Sequence, residues 1–135
     1  MPYKGGFPSV SNLKAARGRY DFAVDGGAVS TIAITAEKIP ANAYILGGFV
    51  EVDTAVLGAG ASVAVQVEGA NDIVAAAAIS GAPWSTTGRK SVVPVFTGAT
   101  SVLTTAARDI SAVISAAVLT AGAFDVVLFY VILGD

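Results

Sequence analysis

The sequence contains no cysteine and no histidine, and charged residues make up only 13% of its 135 positions. Each shortage excludes something. Without cysteine there is no disulfide scaffold. Without cysteine and histidine there is no zinc site of the usual ligands and no Ser-His-Asp or Cys-His catalytic set. An ordinary soluble domain is about 25% charged, so this chain has few charges with which to cover its surface. Long apolar runs are missing too. The longest is Val126 to Leu133, eight residues, where a membrane helix needs about 18 or more. The N-terminus, Met1-Pro2-Tyr3-Lys4-Gly5-Gly6-Phe7-Pro8, lacks the apolar core of a signal peptide. The protein is expected to stay where it is made, or to leave in or on a larger particle.

What is present is apolar. Hydrophobic residues make up 54% of the chain, with 26 Ala and 19 Val. That composition excludes disorder, and the length fits one domain able to bury about two thirds of its unfolded surface. The charge is uneven. Residues 1–20 hold Lys4, Lys14, Arg17 and Arg19 and no acid, whereas residues 21–135 hold four basic and ten acidic residues. A basic arm on an acidic body can dock on an acidic protein surface or on nucleic acid. Four cations spread this thinly do not make the dense basic patch of a nucleic-acid module, which favours protein docking or plain solvation.

Pro2, Gly5, Gly6 and Pro8 break regular structure, so residues 1–16 read as an extended N-terminal arm and residues 17–135 as the folded domain. Tyr3 and Phe7 suit an arm that packs against something. From Arg17 the pattern is that of strands. Tyr20, Phe22 and Val24 alternate with smaller or charged residues, and Asp25-Gly26-Gly27 marks a tight turn into a return strand over residues 28–35. A longer strand covers 44–54, with Gly47-Gly48 marking a bulge or a close backbone approach. Val63, Val65 and Val67 alternate through 62–68. Residues 73–79, with four consecutive Ala, fit strand or helix; strand is preferred. Pro94 makes 92–96 an edge strand. Residues 101–105 pair locally, and 109–118 alternate again. Thr120-Ala121-Gly122 closes a hairpin into a final strand over 124–133. Eight or nine strands about ten residues apart predict an all-β fold, an antiparallel β-sandwich or barrel, with the sandwich preferred.

The final strand is unusual. Phe124, Val126, Leu128, Tyr130 and Ile132 line one face, and Val127, Phe129, Val131 and Leu133 line the other. A strand with one wet face alternates apolar and polar; this one is expected to be buried on both sides. Either another part of the chain covers it or a second subunit does. The interface reading is preferred, because no amphipathic helix in the sequence supplies the cover. Val127, Phe129, Val131 and Leu133 are then interface candidates, joined by the single Trp84, since Trp is enriched at interface hot spots.

Motifs for chemistry are lacking. No phosphate loop occurs, and Gly58-Ala59-Gly60 has Val63 where a dinucleotide fingerprint needs Gly; it reads as a hairpin turn. Glu51, Asp53 and Glu68 would make an acid–base set only if their strands met. Asn71-Asp72 does not follow a calcium loop. Arg17-Gly18-Arg19 with Tyr20 is a weak RNA signal. Trp84 with Tyr44 could stack a sugar. No cofactor and no enzyme activity are expected.

As an ensemble, Arg19-Tyr20-Asp21-Phe22-Ala23-Val24-Asp25-Gly26-Gly27-Ala28, Ile39-Pro40-Ala41-Asn42-Ala43, Ala106-Ala107-Arg108-Asp109-Ile110, Leu119-Thr120-Ala121-Gly122 and the closing Phe129-Tyr130-Val131 resemble small structural proteins of tailed bacteriophages, often head decoration (cement) proteins. The resemblance covers residues 17–133. It implies a jelly-roll-like β-sandwich on a capsid lattice, commonly a homotrimer at three-fold positions, with the major capsid protein as partner. It also implies a place on the virion surface after synthesis in the host cytoplasm. With that partner in view, Tyr3, Lys4, Phe7, Lys14, Arg17 and Arg19 become candidate docking residues of the arm. A tail, fibre or head–tail connector component and a carbohydrate-binding module are the alternatives.

Overall fold

The strands predicted by alternation form, and they assemble into two facing sheets. The computed structural model describes residues 13–92, 94–95 and 101–132. Its elements are β1 (Lys14–Asp21), a single helical turn α1 (Phe22–Asp25), β2 (Ser30–Ala33), β3 (Ala43–Leu57), β4 (Ser62–Gln66), β5 (Val74–Ala78), β6 (Gly88–Val92), β7 (Ser111–Ser115) and β8 (Ala121–Ile132). One sheet has the order β1-β8-β3-β6 and the other β2-β7-β4-β5, all pairs antiparallel. Eight strands in two such sheets form a jelly-roll sandwich.

Three expected hairpins are not hairpins. Consecutive strands lie in different sheets everywhere except β4–β5. The turns at residues 25–27, 58–60 and 120–122 therefore carry the chain across the sandwich. Glycine-rich turn chemistry reverses the chain in either case, so the local signal does not distinguish a hairpin from a crossing. The first strand also differs from expectation. It starts at Lys14, inside the expected arm, and stops at Asp21, whose carboxylate accepts the Ala23 N–H and caps the helical turn.

The predicted bulge exists. Pairing of β3 with β8 shifts between Ile45 and Gly47, and a Cβ on Gly48 would stand 2.0 Å from the Val127 carbonyl oxygen. The backbones of β3 and β8 thus meet where only glycine fits. Residues 101–105 do pair, but with the start of β3. Fully buried Thr104 accepts the Ala43 N–H and donates to the Pro40 carbonyl.

The core lies between the sheets. Phe124, Val126 and Leu128 of β8 are fully buried against Val50 and Val52 of β3 and Val63 and Val65 of β4. Trp84, expected at an interface, is instead fully buried in this core. Its ring lies 4.7 Å from that of Phe124, which stacks at 5.3 Å on Tyr20, and its indole N–H donates to the Val63 carbonyl. A large ring with its polar atom satisfied fills the end of the sandwich from within. Burial, helped by the nearby Asp25 and Asp21 charges, pushes the Tyr20 hydroxyl up to about 12. Trp84→Ala is expected to lower stability by about 3–5 kcal/mol, measured by urea unfolding.

Candidate interaction surface

The site candidates converge on the outer face of the β1-β8-β3-β6 sheet. Strand register arranges them in rungs. The first rung is Arg19, Asp125, Glu51 and Arg89, and the next is Arg17, Val127, Phe49 and Ser91. The third is Ala15, Phe129 and Gly47, and beyond it Val131 stands beside Tyr44. The face thus grades from charged to apolar along the strands.

At the charged end, Asp125 and Glu51 are like charges on adjacent strands, which is unfavourable alone. Cations hold both. The Asp125 carboxylate accepts from Arg17 and Arg19, each at 3.2 Å, and Glu51 accepts from Arg89 at 2.7 Å. Arg19 also donates to Asp53 at 2.5 Å. That bond chiefly, against the opposing effect of burial and with Asp125 adding, raises the Arg19 pKa above its ordinary value. Three arginines thus meet three carboxylates within one face.

At the apolar end, Phe129 stands between an alanine and a glycine and is 36% exposed. Val127 and Val131 are half-buried. The Phe49 ring lies 6.3 Å from Phe129, and the Arg89 guanidinium sits 4.5 Å over Phe49. Phe49 and Arg89 were not anticipated from sequence. Their place depends on the pairing of β3 with β6, which no local pattern encodes.

The other candidates disperse. Lys14 is exposed at the start of β1, while Tyr3, Lys4, Phe7 and Leu133 lie outside the described residues. Arg17 and Arg19, expected to serve a docking arm, are β1 residues bonded to the chain's own carboxylates. Glu68 does not join Glu51 and Asp53. It lies just beyond β4 in the other sheet and accepts from Arg108, the Thr105 hydroxyl and the Thr105 N–H. Asp72 accepts the Val67, Glu68 and Gly69 N–H groups, which makes it a loop brace. Among the described residues no group of three potential metal ligands occurs, and no helix is long and apolar enough to cross a membrane. A groove of about 400 Å³ opens between the β5 and β6 edges. Its described lining holds Lys90 but no aromatic ring and no carboxylate.

No protein-family model matches the chain, and no curated protein matches it in sequence. Three solved chains match in fold. One, from the acidic stable capsid structure of Helicobacter pylori bacteriophage KHP30, is 11% identical with TM-score 0.59, over 89% of this chain and 87% of that one. A chain of the cyanophage Pam1 capsid asymmetric unit is 17% identical with TM-score 0.62, over 98% and 91%. A chain of the capsid of Ralstonia phage GP4 is 16% identical with TM-score 0.65, over 100% and 92%. The shared feature is the fold.

Arg108, with Thr105, pulls the Glu68 pKa from 4.5 down to about 2. A carboxylate with a lowered folded-state pKa contributes stability above its unfolded value, and that contribution disappears as pH falls through the folded one. Glu68→Gln should therefore flatten the loss of stability between about pH 4.5 and 2, read from urea midpoints across that range. An unchanged profile would show that the Arg108 pair does not couple to folding.

Proposed function

We propose that the chain is a virion structural protein of a tailed phage that decorates and stabilises the capsid by binding across neighbouring shell subunits. The observation carrying this reading is the match in fold to three phage capsid chains over nearly their whole length. Fold alone does not dictate function, and jelly rolls serve lectins as well as viral shells. Two features favour the structural role. Trp84, the best candidate for stacking a sugar, is in the core, and the outer sheet face presents apolar side chains suited to a protein neighbour. A ligand that binds only the assembled shell stabilises it by mass action, which requires no catalytic group.

We further propose that the chain works as a homotrimer whose copies meet through the apolar end of the outer sheet face. Phe129 is the anchor, with Val127 and Val131 beside it. Of the basic residues expected to dock on the shell, Arg17 and Arg19 already neutralise the chain's own carboxylates, which argues against a mainly electrostatic attachment through them.

Copy number tests the role. In purified particles the protein should be present in numbers comparable to the major shell protein. A dozen or fewer copies would indicate a connector or tail part. Phe129→Asp should give monomers by light scattering with the fold retained by circular dichroism; a variant that kept its oligomer would exclude this face as the contact.

A further inference from the structure

The two ends of the sandwich differ sharply in charge. Four connections meet at one end: residues 22–29, 58–61, 79–87 and 116–120. Together they carry a single charged side chain, Asp25. The connections at the opposite end carry Glu37, Lys38, Glu68, Asp72, Arg108 and Asp109 among the described residues. Surface loops are normally the polar part of a domain, so an end almost without charge is the anomaly.

The same end displays large aliphatic side chains. Val24 is 81% exposed, Leu57 and Val118 55% each, and Val29 54%. They come from three different segments that the backbone ties together. The Leu119 N–H donates to Gly27 O and the Thr120 N–H to Leu57 O, both at 2.8 Å. A Cβ on Gly27 would stand 2.1 Å from the Leu119 carbonyl oxygen, and one on Gly58 2.5 Å from that of Val118. The aliphatic groups are therefore held on a fixed backbone. A preorganised surface loses little entropy on docking, and a contiguous exposed apolar patch marks an interaction site.

We infer that this charge-poor end is the surface that seats the protein on its shell, against an apolar patch of a shell subunit with a basic rim. The inference rests on the decoration role proposed above. Charge selects the occupant. Asp25 at this end, and Asp21 at the end of β1 beside it, would face their own counterparts if two copies met end to end, and like charges opposed in that way disfavour pairing. A basic-rimmed partner meets them with opposite sign. The location is also compatible with a ring, since docking by one end leaves the outer sheet face free for neighbouring copies.

The test uses the full chain and empty shells of the same virus lacking this protein. Leu57→Lys with Val118→Lys places two charges on exposed positions. The double variant should keep the wild-type oligomer on light scattering and its thermal midpoint. It should lose shell binding in co-sedimentation by roughly tenfold or more for each aliphatic contact removed. Binding by the wild type should persist at high salt, because apolar contact is not screened. Unchanged binding of the double variant would overturn the inference while leaving decoration intact. A shift of the double variant to a smaller oligomer would instead assign this end to contact between copies. Wild-type binding to phosphatidylcholine vesicles, lost in the variant, would assign it to lipid. Failure of wild type itself to bind shells would overturn the decoration role.

Discussion

Strand β8 has to satisfy two environments at once, and the rest of the molecule is arranged around that constraint. It is central in its sheet, paired with β1 on one side and β3 on the other. Its inward residues Phe124, Val126, Leu128 and Tyr130 form the middle of the core. Each fully buried side chain of this size is worth about 1.5–3 kcal/mol, so the four together are comparable to the whole net stability of a domain. The outward residues are nearly as apolar, yet Phe129 remains 36% exposed. Among the described residues no strand or helix is stacked over that face. The described elements leave that face open, which is why the proposed contact between copies is placed there.

Much of the fold was legible because alternation is local. Val63 and Val65 mark β4, with Val67 just beyond it, but the edge strand expected over 92–96 lies instead at Gly88–Val92 and ends before Pro94. The aromatic run of β8 reads directly as a two-sided strand. Topology was less legible. Asp25-Gly26-Gly27 signals reversal but not destination, and the partner of β2 proves to be β7, some eighty residues away in the chain. Trp84 is hard to place from the sequence for a related reason. A lone Trp in a Gly-, Pro- and Thr-bearing loop looks exposed until a cavity beside Phe124 is known to receive it. Half of the candidate surface was legible, in Val127, Phe129 and Val131. The other half, Phe49 and Arg89, required the register of β3 and β6.

The shortage of charge is met by placement. On the outer face of the β1-β8-β3-β6 sheet, Arg17, Arg19 and Arg89 meet Asp53, Asp125 and Glu51 and cancel in sign. The exposed geometry of most of these pairs makes each worth little in stability. Their effect is on specificity, because a face with no net sign does not attract an arbitrary charged partner. The outer face of the second sheet takes another route. Its rungs Thr31–Val113–Ala64 and Ala33–Ser111–Gln66 contain no charge and no large ring.

The jelly-roll path is what allows this sorting. With strands alternating between sheets at all but one step, successive connections alternate between the two ends of the sandwich. Segments distant in sequence are therefore gathered at each end: residues 22–29 meet 58–61 and 116–120 at one, and 34–42 meet 101–110 at the other. A composition low in charge does not by itself define a polar and an apolar pole. Once the chain alternates ends, a few charges placed in every second connection are enough to do so. The polarity along the long axis is thus a consequence of topology acting on an unremarkable linear pattern, and an oriented protein is what a one-sided position on a larger particle requires.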